Sequence, residues 1–293
     1  MMNGETARLL AQMTADFYAA RAADFSATRQ SSWAGWQQLA AQVLPLLEGT
    51  AQVGRPVAVA DVACGNGRFG KFLQQQFPQV PMGYAGWDGN EALLREAAAN
   101  VPGAVLRAAD LLAPLLGEGA APWCSEADCG AYQLVASFGF LHHIPGAENR
   151  ARFLGQLLDL AQPGGAVAVS LWRFADHGPL REKALRSTEV ALTAVPALAG
   201  AGGLEPGDYL LGWGSDGRAV SGPNAPEPAA TSAPGPYAAG NGAPLFRYCH
   251  SFSDEEALAL AAAVRDRARL ASSFFADGRT GALNQYLLFV RES

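Results

Sequence analysis

Residues 57–70 read VAVADVACGNGRFG: an apolar run carrying Asp61 enters a glycine-rich turn and leaves as a helical sequence. Gly65, Gly67 and Gly70 fit G-x-G-x-x-G, a spacing that means little alone and much more between a strand and a helix. The stretches that follow sustain this context. Short apolar runs (MGYAGW at 82–87, AVLRAA at 104–109, YQLVASFGF at 132–140, GAVAVSLW at 165–172) alternate with helical ones (FGKFLQQQF, EALLREAAANV, NRARFLGQLLDLA). Strands alternating with helices indicate βαβ units around a parallel sheet. The expected fold is α/β and Rossmann-like, with a mostly parallel seven-stranded sheet flanked by helices.

Outside this core the pattern changes. Residues 5–22 and 33–48 have the apolar spacing of helices, joined by the polar stretch DFSATRQSS, so 1–55 is expected to form an N-terminal helical lid. Residues 56–175 are the expected cofactor-binding core, and 176–250 an insertion after the fifth strand. Within the insertion, 214–244 is rich in Gly, Pro and Ala; it buries too little apolar surface to offset its ordering entropy and is expected to be a disordered surface loop. Residues 251–293 resume with Ser253 and Glu256 spaced as a capping box. The runs ARLASSFFA and LNQYLLFV are then expected to complete the sheet.

The chain has 293 residues, 49% of them apolar, with a net charge of −6. Of its 21 basic residues only Lys71 and Lys183 are lysines. The overall field repels phosphate, and DNA is not an expected partner. Four scattered cysteines make neither a disulfide framework nor a zinc pattern, so no metal is expected. The opening MMNGETARLLAQMTADF lacks an apolar signal core, and no run of about 18 apolar residues exists to span a bilayer. A cytoplasmic setting is expected, with no membrane partner.

Charge selects the cofactor. Dinucleotides and S-adenosylmethionine share this architecture, but Asp61 stands just before the glycine turn. A carboxylate there repels a pyrophosphate and attracts an ammonium and sulfonium; at about 5 Å and an effective dielectric near 20 such a pair is worth roughly 3 kcal/mol before desolvation. Asp88, at the end of the second strand, is placed to accept ribose hydroxyls. Asp110, after the third strand, is placed to meet an adenine amino group.

Together, DVACGNGRFG, GWDGN and YQLVASFGFLHHIP…LAQPGGAVAVSLW resemble a class I S-adenosylmethionine-dependent methyltransferase of the type 11 kind. FYAARAADFSATRQSSW, SLWRF, GDYLLGW, FRYCHSFSDEEALAL and LNQYLLF further resemble the tRNA wobble-uridine methyltransferases, which esterify the carboxylate of 5-carboxymethyluridine. The resemblance implies a cofactor site of Asp61, Ala63, Gly65, Asn66, Gly67, Asp88, Asp110 and Phe138. Ala63 stands where the family has glycine, both residues being small. tRNA and a small activator protein are the partners it implies. Methylation of a small carboxylate or hydroxyl compound, and a non-catalytic cofactor-binding subunit, are the alternatives.

A carboxylate acceptor is ionised at neutral pH and needs no general base, so the protein's work is alignment and desolvation. Arg29 is the expected grip on an anionic acceptor, with His142 and Trp172 completing the catalytic set. His143, Arg247, Tyr248 and His250 are expected to line the same cleft. On an extended strand His142 and His143 would point to opposite faces, one to the cleft and one beneath the loop.

Overall fold

The computed structural model describes residues 2–27, 31–52, 54–117, 125–199, 202–212 and 245–293. Two helices come first, α1 (Gly4–Ala27) and α2 (Ala34–Gln52). Helical backbone thus continues through part of the polar stretch expected to be a linker, beyond a break at Arg21 (φ −125°, ψ 15°). The core follows in the expected alternation: β1 (Val57–Val62), α3 (Arg68–Gln76), β2 (Met82–Asp88), α4 (Glu91–Asn100), β3 (Val105–Ala108), α5 (Ala113–Leu116), β4 (Tyr132–Ser137), α6 (Ala147–Leu160) and β5 (Ala161–Trp172). The chain continues through α7 (Gly178–Ala194), β6 (Asp208–Gly212), β7 (Phe246–His250), α8 (Asp254–Ala263), β8 (Ala268–Ala276) and β9 (Asn284–Arg291).

The seven-stranded sheet has the order β3-β2-β1-β4-β5-β9-β8. Its first five strands are parallel, and β9 runs antiparallel to both β5 and β8. Central strands such as β1, VAVADV, are apolar on both faces because helices cover both. Leu39, Val43 and Leu47 of α2 and Phe72 of α3 pack on one face. Phe153, Leu154 and Leu157 of α6, with Leu260 of α8, pack on the other. The chain order reverses between β1 and β4, where a crevice opens at the carboxyl ends of the strands.

The insertion contributes what its composition did not reveal, a two-stranded antiparallel ladder in which β6 pairs with β7 from Asp208↔His250 to Gly212↔Phe246. Leu10 of α1 joins Ala191 of α7 and Leu210, Phe246 and Tyr248 of this ladder in one apolar cluster, so α1 packs on the insertion while α2 packs on the sheet. The low-complexity stretch 214–244 lies outside the described residues. Among the described residues no helix is long and apolar enough to cross a membrane.

Local chemistry sets the helix starts near the crevice. Gly67 precedes α3 with φ +75°, a left-handed conformation that glycine adopts without cost. A Cβ at Gly70 would stand 2.6 Å from the Tyr84 ring, so α3 lies against β2 only because that residue is glycine. Asn90 caps α4, its Oδ1 accepting the N–H groups of Ala92 and Leu93. Ser253 and Glu256 form the expected capping box on α8.

Candidate functional site

A cavity of ≈ 860 Å³ opens at the switch point, lined by the carboxyl ends of the parallel strands, the start of β9, α1, the start of α2, and β7. That size suits a ligand pocket for a cofactor and a small acceptor. Asp61, Ala63, Gly65, Asn66, Asp88, Asp110 and Phe138 all line it. Gly67 does not; it turns the chain, and a Cβ there would meet Ala97 at 3.0 Å.

The glycine turn and the carboxylates form one acidic end. The Gly65 N–H donates to Asp88 Oδ2 at 2.8 Å and the Asn90 N–H to Oδ1 at 2.8 Å. These bonds fix the carboxylate plane and leave acceptor capacity on both oxygens. Burial raises the Asp88 pKa above the ordinary carboxylate value, against those two backbone bonds. Asp61, deeper in, accepts the Tyr84 hydroxyl at 2.5 Å, and burial pushes its pKa up to about 7. Asp110 spends Oδ1 on the backbone N–H groups of Leu112 and Ala113. Among the described residues nothing lies within 4 Å of where a Cβ would stand at Gly65, so the turn leaves open space there. Ala63 has φ +64°. Its small size is therefore not what matters against glycine; a left-handed alanine costs roughly 1–2 kcal/mol.

The other end is aromatic and basic. His142 and His143 sit on a 3-10 turn, Leu141–His143, after β4 rather than on a strand. The opposite-face expectation therefore fails: their rings lie 4.1 Å apart and both line the cavity. Trp172, at the end of β5, packs 4.9 Å from the His142 ring, and its indole N–H has no acceptor among the described residues. Arg247 is 3% exposed and lines the cavity from β7, its guanidinium 5.1 Å from the Phe17 ring centre and its Nη1 donating to the Tyr18 hydroxyl at 2.9 Å.

Two expected site residues lie elsewhere. Tyr248 and His250 are fully buried outside the cavity wall. Side chains alternate along a strand, so Arg247 on β7 reaches the cavity and its neighbours at 248 and 250 face away. There the Tyr248 hydroxyl donates to Asp208 Oδ1 at 2.6 Å, and His250 bridges Asp208 and Glu256, each at 2.7 Å. Arg29 lies outside the described residues.

His142, His143 and Cys249 bring one potential ligand atom each within 4.8 Å of the others. Their own bonding describes a different cluster. His143 Nδ1 is 2.7 Å from the Tyr248 carbonyl, which only accepts, so Nδ1 carries the proton; Nε2 is 2.9 Å from the Tyr18 hydroxyl. Burial pushes the Cys249 thiol up to about 12. Metal binding here would have to open one of the two His143 bonds and ionise that thiol.

Tyr18, Asn90 and Tyr84 are the contributors the sequence reading missed. Asn90 had a local signal, as the cap residue in DGNEALL, whereas Tyr18 lies far from its partners in the chain.

No family model matches the chain. Over 148 residues it is 30% identical to the trans-aconitate 2-methyltransferases of Acidovorax sp. (strain JS42) and Acidovorax ebreus (strain TPSY), covering 49% of this chain and 51% of theirs. The chain thus spans about half the length of the curated relatives it matches. Magnesium protoporphyrin IX methyltransferase of Synechocystis PCC 6803, solved with S-adenosylhomocysteine, is similar over 96% of this chain and 99% of its own, with TM-score 0.52 and 15% identity. An N-methyltransferase of Bradyrhizobium japonicum WM9, solved with the same ligand, is similar over 95% and 98%, with TM-score 0.51 and 11% identity. At such identities the likeness is one of fold: the chain has the Rossmann-like α/β fold of the class I methyltransferases.

Proposed function

We propose that the protein is an S-adenosylmethionine-dependent methyltransferase whose acceptor is a small carboxylic acid. The observation that carries this reading is the polarity of the cavity at the switch point. Asp61 and Asp88 make one end acidic, Arg247 makes the other basic, and His142 and Trp172 stand between them. A cationic cofactor suits the first end and an anionic acceptor the second.

S-adenosylmethionine supplies the electrophilic methyl group. The residues at the acidic end fit it: Asp88, oriented by the Gly65 and Asn90 N–H groups, offers acceptors for ribose hydroxyls, and Asp61 offers a counter-charge to an ammonium or sulfonium. At the basic end, Arg247 presents a planar fork of donors suited to a carboxylate. The buried Trp172 N–H, which has no acceptor among the described residues, is a further donor for it. Attack by a carboxylate oxygen neutralises two opposite charges and releases no proton, so His142 and His143 need not act as bases. Their task, with Phe138 and Trp172, is to exclude water and hold the acceptor in line.

The name of the Acidovorax relatives supports a small acid as acceptor. The resemblance to wobble-uridine enzymes supplies the same functional group on a nucleoside side chain, and is the competing source of the carboxylate. The test is methyl transfer from labelled S-adenosylmethionine to a panel of mono-, di- and tricarboxylic acids, alongside tRNA bearing 5-carboxymethyluridine. Base-labile methyl esters of a small acid are the expected product. Ester on tRNA alone would move the acceptor to the nucleoside, and labelling of neither would remove the reading.

A further inference from the structure

We propose that Tyr18 is the positioning residue of the acceptor end and makes that end depend on the cofactor loop, an inference that rests on the cavity reading above. Tyr18 lies on α1 and meets both ends of the cavity. Its hydroxyl accepts from Arg247 Nη1 at 2.9 Å and stands 2.9 Å from His143 Nε2. Because His143 Nδ1 donates to the Tyr248 carbonyl, Nε2 of the neutral ring is an acceptor, and the Tyr18 hydrogen points to it. The Tyr18 ring, edge-on to His143 at 5.3 Å, also lies under the Arg247 guanidinium at 5.7 Å.

The main chain of the same residue reaches the cofactor end. Asn90 Nδ2 donates to the Tyr18 carbonyl at 3.2 Å, and the Asn90 backbone N–H holds Asp88 Oδ1 at 2.8 Å. One residue therefore ties the loop that orients Asp88 to the hydroxyl that orients Arg247. An occupant that orders Asp88 and Asn90 steadies Tyr18, and Tyr18 presents the guanidinium fork to a carboxylate.

The test is calorimetry on wild type, Tyr18→Phe and Asn90→Ser. The probes are S-adenosylhomocysteine and a panel of mono-, di- and tricarboxylates, each titrated with and without the nucleoside. Tyr18→Phe keeps the ring and the main-chain link; it is expected to bind S-adenosylhomocysteine as wild type does and to weaken the tightest carboxylate roughly tenfold or more, the effect of losing a hydrogen bond to a charged group. Asn90→Ser keeps a good helix cap and the bond to Asp88 while removing the donor to Tyr18. It is expected to shrink the factor by which S-adenosylhomocysteine improves carboxylate binding. Equal carboxylate affinity in Tyr18→Phe and wild type overturns the proposal, as does a loaded wild type that binds no carboxylate of the panel. A wild type that fails to bind S-adenosylhomocysteine overturns the cofactor reading as well, so the two failures are told apart.

Discussion

Tyr84 on β2 donates its hydroxyl to Asp61 on β1 at 2.5 Å, and Gly70 of α3 leaves the space in which the tyrosine ring lies. This contact links the packing of the first βαβ unit to the charge at the floor of the cavity. Two of the predictions below act through it.

Burial holds the Asp61 pKa at about 7, well above 3.8 in a free chain. An acid raised in the folded state stabilises the fold fully below its unfolded pKa and loses that contribution as pH rises to the folded value. Stability is therefore expected to fall between about pH 4 and 7, at up to roughly 1.4 kcal/mol per unit from this one group. Asp61→Asn keeps an acceptor for Tyr84 and should flatten that part of the profile in urea unfolding at several pH values. S-adenosylmethionine affinity should rise with pH toward 7 in wild type and not in the variant.

A methyl group at Gly70 would sit 2.6 Å from the Tyr84 ring and 2.9 Å from Val101. Gly70→Ala is expected to cost about 1–3 kcal/mol, as overpacking of a filled interior does. It should also shift the pH at which Asp61 titrates, because the displaced ring carries the hydroxyl. Thermal unfolding reads the first effect and the pH profile the second.

Asp88→Asn turns a two-sided acceptor into a group that must place an NH₂ against a backbone N–H at one of its two bonds. S-adenosylhomocysteine binding is expected to weaken tenfold to a hundredfold, the scale of a charge-assisted hydrogen bond. Unchanged affinity by calorimetry would show that the ribose is held elsewhere.

His250 joins Asp208 and Glu256 at 2.7 Å each, with the Asp208 side chain 0% exposed. His250→Ala leaves two acids facing one another without the ring between them, and is expected to cost about 3–5 kcal/mol. Cofactor affinity should stay near wild type in the protein that remains folded, because none of the three residues lines the cavity. A selective loss of binding with unchanged stability would return His250 to the site.

The acidic end of the cavity was legible in the sequence because its requirements are local: glycine at 65, 67 and 70, and acids at the carboxyl ends of β1 and β2. The aromatic and basic end is assembled from α1, the turn after β4, β5 and β7, and no local spacing records that meeting. His142 and His143 were read on a strand, although the phenylalanines and glycine before them close into a tight turn instead. Tyr248 and His250 were grouped with Arg247, against the alternation that an extended strand imposes. Tyr18 passed unremarked because its partners are 72, 125 and 229 residues away.

The ladder of β6 and β7 ends with Gly212 directly opposite Phe246. The two strands are closed together at that rung like a clasp. The next rung pairs Leu211 with Arg247, so the register of the clasp sets where the guanidinium stands in the cavity wall, and a slip of one residue would turn that side chain to the opposite face.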